Sequence, residues 1–105
     1  MLKGVNVNDP KIGLICKSHN YTNNNGNVAT GDWVISKNRI GDLVGQTVIL
    51  TEGSQEPAYK GGEITGYNLL PSGKYMIFFQ SDYRYNGWGK HIGHWVKGEN
   101  PVRYL

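Results

Sequence analysis

The chain of 105 residues holds one cysteine, Cys16. An intrachain disulfide is excluded, and a lone thiol suits a reducing compartment better than a secreted scaffold. No apolar run approaches the roughly 20 residues that cross a bilayer as a helix. The opening Met1-Leu2-Lys3-Gly4-Val5-Asn6 has no apolar stretch of the kind a secretory leader needs. A cytoplasmic protein without a membrane partner is the expectation. Alanine is scarce while glycine reaches 15 residues, which argues against a helical bundle and for many turns and bulges. Acidic residues are few, 8 against 11 Lys and Arg, for a formal charge of +3. That mild excess permits nucleic acid as a partner without requiring it.

What is present is aromatic. Seven Tyr and three Trp stand in a chain whose hydrophobic fraction is only 38%. Tyr and Trp bury large areas and keep a polar tip, so they serve both a core and a binding face. The length allows one domain, residues 1–105, with one core.

The apolar residues fall in short runs split by Gly, Asn and Pro. Residues 12–17 read as a first strand, and 32–36 as a second with Trp33 and Ile35 on one face and Val34 on the other. The intervening stretch 18–30, with Asn23-Asn24-Asn25-Gly26-Asn27, reads as a long exposed loop. Residues 37–45 suit a short helical turn with Ile40, Leu43 and Val44 inward. Residues 46–52 alternate Val48 and Leu50 against Thr47, Ile49 and Thr51, the clearest strand pattern in the chain. A second loop is expected over 53–62. A hairpin follows, from 63–69 through Pro71-Ser72-Gly73 to 74–80. Residues 82–89 form an aromatic loop, 90–97 a further strand, and the tail from Gly98 a turn and a last short strand. The fold class expected is mainly β: a small antiparallel barrel, PUA-like or SH3-like, with at most one or two short helical turns.

No catalytic set is legible. Cys16 and His19, and likewise His91 and His94, are spaced three apart, but on strands such residues point to opposite faces, so no metal and no cofactor are expected. Cys16 lies in an apolar run with no helix start after it, which suits a buried thiol rather than a nucleophile. Asp32, Asp42, Glu52, Glu56, Glu63 and Asp82 show no spacing that pairs two carboxylates. An enzyme is not expected.

The aromatic and basic residues carry the functional signal. Trp33, Trp88 and Trp95, with Tyr59, Tyr83 and Tyr85, are interleaved with Lys37, Arg39, Lys60, Arg84 and Lys90. Aromatic rings stack on unpaired bases, and Lys or Arg meets phosphate. Trp33 or Trp95 is a candidate for the core. Trp88, between Gly87 and Gly89 after Tyr83-Arg84-Tyr85, is the candidate exposed aromatic.

Trp33-x-x-Ser36-x-Asn38-Arg39, then Gly45-Gln46-Thr47-Val48-Ile49-Leu50, then Gly61-Gly62-Glu63-Ile64-Thr65-Gly66-Tyr67 resemble the small PUA-like barrels of the ASCH and EVE type over residues 31–80. The chain departs from them in lacking the Lys and Glu-x-Arg signature of ASCH domains. The resemblance implies binding of RNA or of DNA carrying a modified base in a barrel cleft lined by Trp33, Ser36, Asn38 and Arg39.

Two functions follow as expectations. One is a nucleic-acid-binding module. The other is a protein-interaction domain of the phage or mobile-element kind that binds and inhibits a host protein, with Tyr83, Arg84, Tyr85 and Trp88 as anchors, since Trp, Tyr and Arg dominate interface hot spots. The residues singled out for a site are Trp33, Ser36, Asn38, Arg39, Tyr59, Tyr83, Arg84, Tyr85, Trp88 and Lys90.

Overall fold

The computed structural model describes residues 9–17, 21–53, 56–89 and 102–104. His19, Lys90, His91, His94 and Trp95, and the strand expected over 90–97, lie outside the described residues. The strands are β1 (Ile12–Ile15), β2 (Tyr21–Asn24), β3 (Asn27–Trp33), β4 (Thr47–Thr51), β5 (Ala58–Leu69), β6 (Tyr75–Ser81) and β7 (Val102–Tyr104). One short helix, α1 (Lys37–Ile40), runs into a 3-10 turn at Gly41–Leu43, and a second 3-10 turn, Tyr83–Tyr85, follows β6. The protein is mainly β, as the punctuated apolar runs predict.

The strands form a single sheet in the order β2-β3-β6-β5-β4-β1-β7. Its pairings are antiparallel except β1 with β4, which is parallel. The sheet is therefore mixed rather than wholly antiparallel. Among the described residues β2 and β7 remain its two edges, with no hydrogen-bonded seam between them.

The sheet nevertheless curls strongly. Cys16, just past β1, brings its Sγ to 3.7 Å from Oγ1 of Thr30 on β3. In a flat sheet those strands would stand about 19 Å apart, four spacings of roughly 4.8 Å. Three register shifts, between Thr30 and Trp33, between Leu50 and Thr51, and between Ile64 and Gly66, insert extra residues. Bulges bend a strand and raise its twist, which is the physical source of the curl.

The concave face holds the main core, with Ile12, Leu14, Val28, Val48, Leu50, Ile64, Ile77 and Phe79 among its members. Burying each such side chain contributes about 1.5–3 kcal/mol. Trp33, Ile35, Ile40 and Leu43 extend this core from the end of β3 into α1 and its 3-10 turn. Trp33 is thus a core residue, and Ile35 is buried with it while Val34 is exposed, the alternation expected for that stretch. Val44, expected inward, is exposed, because the chain leaves the 3-10 turn in an extended conformation.

β4 is buried along its whole length. The predicted alternation is present, but both faces are covered. Val48 and Leu50 join the main core, and Ile49 joins a second cluster with Ala58 and Tyr85.

Two predicted loops are strands. Residues 21–33 form the β2–β3 hairpin, turned at Asn25 and Gly26, whose φ values of 54° and 90° are those of a type I′ turn. The run of five Asn and Gly residues hides an ordinary Asn-Gly hairpin signal. The 53–62 loop is shorter than expected, since β5 begins at Ala58. Lys60 and Gly61 find partners on β4 there, so the ladder captures residues whose composition alone suggests a turn.

Candidate functional site

The residues singled out from the sequence separate into three places. The first is the turn after β6. Asp82 caps it: Oδ1 accepts the Arg84 backbone N–H at 3.0 Å. The same carboxylate takes the Arg84 guanidinium side-on, with Nε at 3.0 Å from Oδ1 and Nη2 at 2.7 Å from Oδ2. These hydrogen bonds hold the Asp82 carboxyl below its ordinary value and raise that of Arg84. The Arg84 charge is therefore matched within the turn. Tyr83, at its apex, is 73% exposed.

Tyr85, the next aromatic, is a core residue instead. Its ring is buried with Ile49 and Ala58, and its hydroxyl lies 3.4 Å from Oγ1 of Thr47. Trp88, expected to stand exposed, packs half-buried against the same cluster. The segment folds back because its backbone is tied to β5. Gly87 N–H donates to the Ala58 carbonyl at 2.7 Å, and Ala58 N–H donates to the Trp88 carbonyl at 2.9 Å. Room for this comes from Gly61, while its neighbour Gly62 makes room for β6. A Cβ on Gly61 would meet Cβ of Tyr85 at 2.8 Å, and one on Gly62 would overlap the Gln80 carbonyl oxygen. The Gly61-Gly62 pair thus serves close packing of chain on chain.

The second place is the start of the sheet beside α1. Ser36, Lys37, Asn38 and Arg39 are all exposed. The Arg39 guanidinium carbon lies 4.0 Å from the centroid of the Tyr104 ring. Tyr104 stands opposite Ile12, next to exposed Lys11. Among the described residues no carboxylate forms an ion pair with Lys11, Lys37 or Arg39. Three cations and a half-exposed ring therefore share one end of the sheet. Trp33, which the family resemblance would put in a cleft with Ser36, Asn38 and Arg39, is not with them: it turns inward beside Tyr75.

The third place is the opposite end, where Tyr59 closes the core. Its hydroxyl donates to the Cys16 carbonyl at 2.7 Å, and its ring stacks on Tyr21 with centroids 6.2 Å apart. Lys60 Nζ lies 5.4 Å from the Tyr21 centroid. Burial first, and then the contact with Cys16, push the Tyr59 hydroxyl above its ordinary value. Tyr59 is half-buried and its polar tip is committed inside the protein, so it is a weak candidate for ligand contact.

Tyr104 is the site residue that sequence reasoning misses. Nothing local relates residue 39 to residue 104; only the β1–β7 pairing brings them together. Comparison with protein-family models, with curated proteins and with solved structures finds no match for this chain.

Proposed function

We propose that the protein is a nucleic-acid-binding module, and that single-stranded RNA or DNA, with or without a modified base, engages the end of the sheet beside α1. The Arg39–Tyr104 stack carries this reading. A ring backed by a guanidinium is a platform for an unpaired base, and Lys37, on the same short helix as Arg39 and with no ion pair among the described residues, suits the phosphate backbone. Ser36 and Asn38 supply polar groups at the same edge for base or sugar contacts.

Fluorescence anisotropy with single-stranded, duplex and modified-base oligonucleotides at low and moderate salt tests it. Tyr104→Ala should cost about 1–3 kcal/mol of binding, the usual worth of one base–aromatic stack. Lys37→Ala should weaken all sequences evenly and lower the salt slope by about one. No binding at low salt, or parent-like binding by both variants, refutes the reading.

One observation favours a second reading, a protein partner of the inhibitory kind. The Asp82–Arg84 pairing fixes the turn that presents Tyr83, and a rigid exposed tyrosine is a good interface anchor. A partner found by cross-linking whose binding falls by about 2 kcal/mol in Tyr83→Ala would support it.

A further inference from the structure

The pairing register sorts the residues of β2, β3, β6 and β5 onto two faces. Val28, Phe79 and Ile64 stand opposite one another in the main core. One residue along, Thr22, Ala29, Phe78 and Gly66 stand opposite one another on the convex side. One residue the other way, Asn24, Asn27, Gln80 and Glu63 form the neighbouring convex row, about 7 Å from the first.

Phe78 is the aromatic centre of this face. It is partly exposed and belongs to neither core cluster. Small residues flank it on both sides, Ala29 on β3 and Gly66 on β5. Gly61 and Gly62 are glycines because packing forbids a Cβ; Gly66 is under no such constraint. A Cβ there would meet Phe78 Cδ2 at an ordinary 3.9 Å, and its φ lies outside the left-handed region. Its effect is to leave one flank of the ring bare. The adjacent row offers amides: Asn24, Asn27 and Gln80 are exposed, and their side chains make no hydrogen bond among the described residues. Neither row contains a cation. Lys74, at the head of β6, is matched by Asp32 at 3.8 Å.

We propose that this convex face binds a neutral glycan chain, with Phe78 stacking on a pyranose and the amides of Asn27 and Gln80 holding its hydroxyls. A pyranose with equatorial hydroxyls presents a face of C–H groups, which suits the negative face of an aromatic ring. Each sugar hydroxyl both donates and accepts, and a side-chain amide offers both functions in one plane. A nucleic-acid strand would need unmatched Lys or Arg beside the ring, and these rows supply none. A protein partner would call for a wider apolar centre than one ring set among amides. An open sheet face, rather than a pocket, fits a straight chain of glucose or N-acetylglucosamine. The site stands independently of the nucleic-acid reading, which uses the end of the sheet beside α1.

The test follows the Asn27 and Gln80 side-chain amide resonances while the protein is titrated with cellohexaose, with chitohexaose and with a single-stranded oligothymidylate. At least one hexasaccharide should move them saturably, and the oligonucleotide should not. The two sugars differ in the acetamido group, so their comparison shows whether that group is read; a response to either upholds the site. Phe78→Leu keeps an apolar side chain of similar size on a partly exposed position, so it should fold and bind about tenfold more weakly. Asn27→Ala, at an exposed position, should fold and bind about fivefold more weakly. Tyr104→Ala should leave sugar binding unchanged, which separates this site from the stacking end. The proposal is overturned if neither hexasaccharide moves the resonances, or if Phe78→Leu and Asn27→Ala both bind like the parent. It is also overturned if the oligonucleotide moves them instead, or if dilution alone does, since a second copy of the chain would then cover the face.

Discussion

The Tyr59 hydroxyl donates to the carbonyl oxygen of Cys16 at 2.7 Å, joining the start of β5 to the chain just past β1. The phenol is held neutral by burial and by this contact. The neutral form is favoured in the folded state. Its contribution is therefore complete below the unfolded tyrosine pKa of about 10 and is lost as pH rises above it. Alkaline titration followed by phenolate absorbance should give the same pre-unfolding amplitude for the parent and for Tyr59→Phe. The variant should be less stable at neutral pH by about 1 kcal/mol. A smaller pre-unfolding amplitude in Tyr59→Phe would show that Tyr59 ionises freely.

Gly62 and Gly41 should respond to alanine in opposite ways. Gly62→Ala drives a methyl into the Gln80 carbonyl, so the β5–β6 ladder must separate, and a loss of about 3 kcal/mol or more is expected. Gly41 has an ordinary φ of −66° and only the tip of Tyr67 within 4.0 Å of the added atom. Gly41→Ala should be neutral or stabilising by up to about 1 kcal/mol. Urea midpoints for the two variants measure this.

The Asp82 carboxyl should titrate below the unperturbed value of about 3.9, and Arg84→Ala should return it towards that value. A depressed carboxylate contributes stability above its unfolded pKa, and that contribution disappears as pH falls through the folded one. Because the pair is partly solvent-exposed and screened by water, the effect on global stability should be small. Side-chain carboxyl NMR between pH 2 and 6, roughly the range that covers both states, reads the shift directly.

The three aromatics of the 82–89 turn should separate by burial. Tyr85→Ala empties the second cluster and should cost about 3–5 kcal/mol. Trp88→Ala should cost less, since the ring is half-buried. Tyr83→Ala should leave stability within about 0.5 kcal/mol of the parent. Equal losses at Tyr83 and Tyr85 would mean that the turn packs differently.

The legible parts of the fold are those where one strand's pattern decides the outcome. The Val48–Leu50 alternation and the Pro71-Ser72-Gly73 turn of the β5–β6 hairpin are local and match the structure. The β2–β3 hairpin is also local, but its Asn25-Gly26 turn sits among so many Asn residues that the composition of the run masks the turn. Tyr85 and Trp88 read as exposed because their neighbours are turn formers. The features that bury them, the space left by Gly61 beside Tyr85 and the backbone of Ala58, lie on another strand. The parallel β1–β4 pairing and the Arg39–Tyr104 contact depend on how distant segments meet, and no sequence period encodes that.

The register of Ile12 with Tyr104 has a consequence for synthesis on the ribosome. β1 emerges among the first described residues, and its outer neighbour β7 among the last. Until Val102–Tyr104 has emerged, therefore, one edge of β1 has no native partner to pair with. A nascent chain of this kind cannot lay down its sheet in order from the amino end, so the step that seats β7 should come late and, with such distant contacts, slowly.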